Sequence, residues 1–338
     1  RSADAFAAVR ARALYRAGLL QSFSDWLRQR GKSDKAVAQS LFTLFAASAD
    51  LVLGRNDAAC EAVRDLSGSA SALPDGLKGS AIMISGYCAA ADGNTAASGL
   101  SAELAREAGI SNTPGLAALD ALAAGRKPAR PKSADRLTLV DYRILQAANA
   151  RPRLGEVGKL KPALLVAIAR DQKAEPIIRQ LAAEAAFDVN AINSVLVAQI
   201  YRDSAAASEA ASQQQEAAIE RARSFTSAQT TRNANDKLRH VSDFLKAAAK
   251  GQYYDSSLRL ASVLLEEIEP GPDIQHFADA AILLALTAND PKIARAWADT
   301  ATDRGRRGAS SNWFGLIDIA GGGDMPTGSG IRNYAEPA

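Results

Sequence analysis

Hydrophobic positions recur along this chain with the spacing of helices, and several segments share one arrangement. An apolar stretch leads to a turn residue, and a second stretch then carries a small residue early and a larger apolar residue one turn later. The segments are 84–104 with Gly93 and Leu100, 244–265 with Gly251 and Leu258, and 283–300 with Asp290 and Trp297. Because glycine or aspartate ends the first helix and a small side chain lets the second pack closely, the pattern predicts helical hairpins.

The turn residues are spaced like those of a helical repeat. Gly54 and Gly93 are 39 residues apart, as are Gly251 and Asp290, and Gly18 precedes Gly54 by 36. One hairpin cannot hide its own apolar stripe from water, so neighbouring hairpins must stack. The sequence therefore predicts an all-α fold without a sheet, arranged as a right-handed α-solenoid of antiparallel helical hairpins.

The composition agrees with a helical fold and bounds the size of its core. Hydrophobic residues make up 47% of the chain and aromatic residues 6%, and alanine, which loses no side-chain entropy in a helix, is abundant. At 338 residues the chain exceeds the usual size of one compact core. Two or three domains or one elongated array would satisfy this length, and the repeat rhythm favours the array.

The repeat rhythm is interrupted in the middle of the chain. Residues 126–134, "RKPARPKSA", carry two prolines and four basic residues, which predicts a linker or long loop. Helices are predicted to resume at 138–149, 162–171, 176–187 and 190–202. We therefore divide the chain into a helical-repeat block 1–125, a helical middle block 126–235, a second helical-repeat block 236–320 and a flexible glycine-rich tail 321–338.

Two stretches carry a resemblance to a known class of proteins. "YCAAADGNTAASGLSAELAREAG" and "LALTANDPKIARAWADTATDRG" resemble tetratricopeptide-like α-solenoids, and the chain is also similar to large helical-repeat proteins of proteobacterial envelopes. The resemblance covers roughly the first 125 residues and the last 100 before the tail, with a period longer than the usual value of about 34. It implies a role in protein binding or assembly rather than in catalysis.

The two cysteines are the only indication of a redox compartment. Cys60 falls early in a predicted helix 56–67 and Cys88 falls late in the next, 77–91. In an antiparallel hairpin these positions lie at similar heights, within reach of a disulfide, and such a bridge indicates an oxidising compartment such as a periplasm. Two buried free thiols are the alternative, which would favour the cytoplasm.

Basic residues are concentrated between positions 126 and 161, where ten lysines and arginines face three acids. A surface of this kind attracts polyanions, whereas a solvated face beside a linker would carry the same charges without function. Tyr142 is the only aromatic residue available for base stacking, so we do not expect nucleic acid binding. The candidate basic surface consists of Arg126, Lys127, Arg130, Lys132, Arg136, Arg143, Arg151 and Arg153.

No pattern of catalytic, cofactor-binding or metal-binding residues is found. His240 and His276 lie in predicted helices away from any cysteine or paired carboxylates, and the glycines of the tail lack the strand and lysine of a phosphate loop. No stretch approaches 18 uncharged apolar residues, so no membrane-spanning helix is predicted. The sequence therefore predicts no enzyme, no cofactor and no metal.

A non-catalytic scaffold that binds a protein or peptide partner, with a periplasmic location, is the function that these features favour. Small residues along successive hairpins would leave grooves in which a partner helix or extended segment docks. The alternative is the helical superstructure of a cell-wall-processing enzyme or envelope assembly whose catalytic part lies elsewhere. Self-association would favour a purely architectural role.

Overall fold

The computed structural model describes residues 3–30, 36–67, 73–131, 137–151, 157–206, 213–251, 253–302, 313–314, 316–317 and 319–321. Over these residues the fold is all-α, as predicted, and no strand is present. The α-helices are α1 (Ala3–Arg16), α2 (Leu20–Arg30), α3 (Ala36–Leu53), α4 (Asn56–Ser67), α5 (Asp75–Ala91), α6 (Thr95–Glu107), α7 (Pro114–Ala123), α8 (Leu139–Ala147), α9 (Pro162–Arg170), α10 (Pro176–Asp188), α11 (Ser194–Ala205), α12 (Gln213–Thr230), α13 (Ala234–Ala249), α14 (Tyr254–Ser262), α15 (Ala278–Thr287) and α16 (Pro291–Thr302). Short 3-10 turns occupy Val157–Lys159, Val263–Leu265 and Gln275–Phe277.

The chain forms two compact units, Arg1–Ile200 (unit 1) and Tyr201–Ala338 (unit 2). The division falls inside the predicted middle block 126–235, because α8 packs against α5 and α7 while α9 packs against α3. The predicted blocks follow sequence rhythm and the units follow packing, so the blocks stay a prediction. Apart from Gly321, the predicted tail 321–338 lies outside the described residues.

Eight helices in the described part end with the same backbone geometry. The residue after the C-cap has a positive φ, its N–H donates to the carbonyl three residues back, and the next N–H donates to the carbonyl five residues back. This is the Schellman motif, which satisfies carbonyls that the helix leaves unpaired. The positive-φ residues are Gly18, Gly54, Gly93, Gly109, Gly125, Asn149, Asn190 and Asn289.

The predicted turn residues agree with these ends in the first part of the chain. Gly18, Gly54 and Gly93 have φ values of 75°, 78° and 72°. Near Asp290 the left-handed residue is the preceding Asn289, with φ of 58°. The helix therefore ends at Asn289 rather than at Asp290, the residue that the sequence pattern indicates. Asparagine tolerates the left-handed region because its short polar side chain can form local hydrogen bonds.

Helix α3 lies at the centre of unit 1, where α1, α2, α4, α8 and α9 pack against it. Its buried residues are Ser40, Phe42, Leu44, Ala47, Ala49, Leu51 and Val52. Among the helices that the structure describes, α3 is also the one long and apolar enough to cross a membrane. Its length and composition would allow α3 to cross a membrane, but a core helix of a soluble protein passes the same test, and five helices pack against this one.

Close approach of helices in unit 1 depends on small residues. Helix α5 packs against α4, α6, α7 and α8. A Cβ atom on Gly86 in α5 would lie 2.7 Å from Cδ1 of Leu119 in α7 and 3.1 Å from Cβ of Ser101 in α6. A larger residue at this position would require the Leu119 side chain and the neighbouring Ser101 to shift, so glycine allows α5, α6 and α7 to pack closely.

Unit 2 is assembled from consecutive helices, with α12 on α13, α13 on α14, α14 on α15 and α15 on α16. Three aromatic rings meet in its interior. The centroid of Phe225 lies 5.3 Å from that of Tyr201 and 5.5 Å from that of Phe244, both in edge-to-face geometry. Trp297 in α16 is fully buried. Edge-to-face rings contribute about 0.5–1.5 kcal/mol per pair beyond the burial of their area.

The apolar position shared by the three repeat-like segments is not structurally equivalent among them. Leu258 and Trp297 are 6% and 0% exposed, whereas Leu100 is 62% exposed. Helix α6 instead buries the small residues Ser98, Ser101, Ala102 and Ala105. The residue at this shared position therefore lies in the core in two segments and at the surface in the third.

Candidate functional site

A disulfide joins Cys60 in α4 to Cys88 in α5, as predicted. Their Cα atoms are 5.8 Å apart, within the range that disulfides adopt. The bridge closes a loop over a sequence separation of 28. A loop of this length corresponds to a stabilisation of about 3.5 kcal/mol by restricting the unfolded chain.

The predicted basic residues do not all face solvent. Lys132, Arg136 and Arg153 lie outside the described residues. Arg126, Lys127 and Arg130 are exposed, while Arg143 is only 4% exposed. Arg151 is half-buried and paired with a carboxylate. The prediction that Arg143 belongs to a basic surface is therefore wrong, because α8 directs its side chain into the core of unit 1.

Arg143 binds the end of α3. Its guanidinium donates to the carbonyl oxygens of Leu51 and Val52 and, at 2.6 Å, to Oε1 of Gln146. Carbonyls at a helix C-terminus lack partners within the helix and carry partial negative charge, so a cation stabilises them. Burial lowers the pKa of Arg143, but an arginine retains its charge under these conditions.

Asp171, at the C-terminal end of α9, accepts several hydrogen bonds. Its Oδ2 accepts from the hydroxyl of Tyr142 at 2.9 Å and from Nε of Arg151 at 2.7 Å, while Oδ1 accepts from the N–H of Lys173 at 3.0 Å. Burial opposes ionisation of this carboxyl, but the bonds from Arg151 and Tyr142 outweigh it, so the pKa of Asp171 is lowered. The pKa of Tyr142 is raised, mainly by burial and to a smaller extent by the negative charge of Asp171.

Arg151 and Tyr142 thus donate to Asp171, and Arg143 donates to backbone carbonyls and to Gln146, which is the arrangement of a structural network. The buried Nε of Arg143 has no hydrogen-bond partner among the described residues. The three remaining described residues of the candidate basic surface, Arg126, Lys127 and Arg130, lie together elsewhere. They line a groove between α7 and residues 126–131, which we call the α7 groove, with a volume of about 440 Å³. Its lining residues are Pro114, Ala117, Ala118, Ala121, Arg126, Lys127, Ala129, Arg130 and Pro131.

The end of α7 fixes the basic wall of the α7 groove. Gly125 has a φ of 64° and the N–H of Arg126 donates to the carbonyl of Ala121 at 2.8 Å, which turns the chain back along the helix. Pro128 is buried and anchors the following segment. The side chains of Arg126, Lys127 and Arg130 are exposed and line the groove together with alanine residues of α7.

A second concavity in unit 1 is apolar. This cleft, which we call the α3–α5 cleft, has a volume of about 260 Å³. Large side chains from three helices and from the α6–α7 connection border it, and those of Phe45, Leu77, Ile110 and Val140 are half-buried. The remaining lining residues are Tyr15, Leu44, Ser48, Ser80, Met83, Thr113, Thr138, Leu139 and Asp141.

Polar residues of the α3–α5 cleft form hydrogen bonds that connect the helices around it. The carboxylate of Asp141 accepts from the N–H of Gly115 at 2.9 Å, the N–H of Thr138 at 3.0 Å and the hydroxyl of Thr138 at 2.6 Å. Thr138 and Asp141 form the capping box of α8, and the bond to Gly115 attaches the start of α7. Burial raises the pKa of Tyr15 to about 12, so its hydroxyl remains a neutral donor.

Sequence reasoning missed the α3–α5 cleft. Its lining comes from α1, α3, α5 and α8, which are far apart along the chain, and each contributes residues of ordinary core type. The pattern Thr138-x-x-Asp141 was the available local signal, but it predicts only the start of a helix. Among the described residues, no group of three or more His, Cys, Asp and Glu side chains is placed to hold a metal ion.

Comparison of the chain with protein-family models, with curated proteins and with solved structures finds no match.

Proposed function

We propose that this chain is a non-catalytic helical-repeat scaffold, arranged as a right-handed α-solenoid of hairpins, that binds a protein or peptide partner in the bacterial cell envelope. The observation that carries the proposal is the α3–α5 cleft, an apolar concavity bordered by four helices. The recurring Schellman ends and the spacing of Gly18, Gly54 and Gly93 support the repeat arrangement. The disulfide between Cys60 and Cys88 supports an oxidising compartment, the periplasm.

The cleft suits an apolar side chain of a partner. Half-buried Phe45, Leu77, Ile110 and Val140 present apolar surface around a volume of about 260 Å³. Burying one leucine or phenylalanine side chain there stabilises a complex by about 1.5–3 kcal/mol, and such anchors in pockets dominate peptide interfaces. The network around Asp141 holds the walls before binding, which reduces the entropy that binding costs.

Selection of peptides on the full chain tests this proposal. A phage-displayed library of random peptides is selected against the wild-type protein, and recovered peptides are measured by fluorescence polarisation. We expect Leu77→Glu, which places a charge at the cleft, to weaken binding about tenfold or more. Leu100→Glu is the matched control, because Leu100 is 62% exposed on α6 and does not line the cleft.

Two results would contradict the proposal. Recovery of no peptide above background would speak against a peptide-binding scaffold. Equal binding to wild-type, Leu77→Glu and Leu100→Glu proteins, each with an unchanged helical circular dichroism spectrum, would remove the α3–α5 cleft as the binding site.

A further inference from the structure

We propose that the α7 groove binds an acidic segment of a partner protein. This inference rests on the proposed function only in taking a protein as the partner, since it concerns a different surface of unit 1. The groove has two chemically distinct sides, and both must be matched by the same ligand.

One side of the groove is apolar. Ala117, Ala118 and Ala121 lie at helical spacing along α7, and Pro114 and Pro131 also line the groove. Small side chains on the floor leave a volume of about 440 Å³ for atoms of the ligand. A ligand gains from burying apolar surface there only if it carries apolar side chains of its own.

The other side is cationic. Arg126, Lys127 and Arg130 are exposed, and within the described residues no carboxylate pairs with any of the three. The nearby acid on α7, Asp120, is already paired with Arg106. Three cations along one wall therefore present a positive potential that the described residues leave uncompensated, and an acidic segment supplies the complementary charge.

The same features favour a peptide over a nucleic acid. The described lining of the groove contains no aromatic residue, whereas proteins that bind single strands use aromatic rings as stacking platforms. Alanine methyl groups complement the side chains of a peptide better than a sugar-phosphate backbone. A chain that combines apolar residues with aspartate or glutamate matches both sides of the groove.

The experiment uses the same phage-displayed peptide library and two charge-reversed full-length proteins. One carries Arg126→Glu, Lys127→Glu and Arg130→Glu. The control carries Arg12→Glu, Arg64→Glu and Lys173→Glu, three exposed cations that do not line the groove. Both variants have the same net charge, so a difference between them reports position rather than total charge. Oligo-dT and heparin are measured as competing probes.

We expect some peptides selected by the wild-type protein to be enriched in aspartate and glutamate. Their binding should weaken about tenfold or more in the groove variant, weaken by less than about threefold in the control variant, and fall as salt is raised. Oligo-dT and heparin should not displace them at equal concentration.

The outcomes separate this inference from the proposed function. Peptides that lack acidic enrichment and bind the groove variant normally would overturn the acidic partner while leaving the scaffold intact. Recovery of no peptide by any protein would overturn both. Binding of oligo-dT or heparin that is lost in the groove variant, with peptide binding unchanged, would assign the groove to a polyanion other than protein.

Discussion

Both units contain packed aromatic rings, Phe23, Trp26, Phe42 and Phe45 in unit 1 and Tyr201, Phe225 and Phe244 in unit 2. In unit 1 a buried arginine and a buried aspartate also join helix ends by hydrogen bonds. Hydrogen bonds from Arg143 and to Asp171 fix helix ends without occupying much volume. Rings fill volume without fixing helix ends. The comparison teaches that hydrogen bonds at helix ends can join the helices of a unit without filling the space between them. Unit 1 therefore retains concavities such as the α7 groove and the α3–α5 cleft.

The largest expected effect tests how much unit 2 depends on a large buried aromatic side chain. Trp297→Ala removes a fully buried indole, which should lower the free energy of unfolding of unit 2 by about 4 kcal/mol, through lost burial and the cavity left behind. Amide hydrogen exchange measured by mass spectrometry reports each unit separately. Trp26→Ala, at a half-buried tryptophan of unit 1, is the control and should cost less. Equal protection in wild-type and Trp297→Ala unit 2 would contradict this account.

The second prediction concerns the covalent tie in unit 1. Replacing Cys60 and Cys88 together by serine should lower the free energy of unfolding of unit 1 by about 3.5 kcal/mol, because the unfolded chain regains the entropy of the closed loop. Denaturant unfolding with and without a reductant measures the effect. The reductant should destabilise the wild-type protein but not the double variant; an identical response of both would show that the bridge carries no stability.

The smallest of the three effects depends on pH. Asp171→Asn should lower the free energy of unfolding by about 2 kcal/mol at neutral pH, because Arg151 and Tyr142 lose a charged hydrogen-bond acceptor. Since folding lowers the pKa of Asp171, its contribution is present above the unfolded value of about 3.9 and is lost as the pH falls through the folded value. The difference between wild-type and variant should therefore shrink below about pH 4.

Denaturant unfolding at several pH values measures that difference. Asp120→Asn is the matched control, because the Asp120–Arg106 pair is exposed and should change stability by less than about 1 kcal/mol. A stability difference for Asp171→Asn that stays constant between neutral pH and pH 3 would show that the carboxylate charge is not what holds α8 and α9.

Helices were the part of this molecule that the sequence predicted best. The expected helix 162–171 corresponds to α9 (Pro162–Arg170) and 176–187 to α10 (Pro176–Asp188). Both begin at a proline, which favours the first helical position, so the start is set by local chemistry. The disulfide could also be predicted locally. The positions of Cys60 and Cys88 along two antiparallel helices follow from the lengths of those helices, and these positions place the two residues side by side.

Burial and the candidate sites were predicted less well. Arg143 was grouped with Arg126 by proximity in sequence, but a helix turns residues in different directions, and only packing decides which of them reaches the core. Leu100 occupies the larger apolar position of the repeat-like pattern but is exposed. The α3–α5 cleft depends on contacts between helices distant in sequence, which no local pattern records.

The bridge between Cys60 and Cys88 has a consequence for how the molecule survives damage to its backbone. The two residues lie on consecutive helices, so every peptide bond between them belongs to a covalent ring. A protease that cuts once inside this ring opens it without separating the pieces, and the two segments remain one molecule. The protein would thus keep its N-terminal helices attached after a first cleavage there, until a reductant or a second cut outside the ring released them.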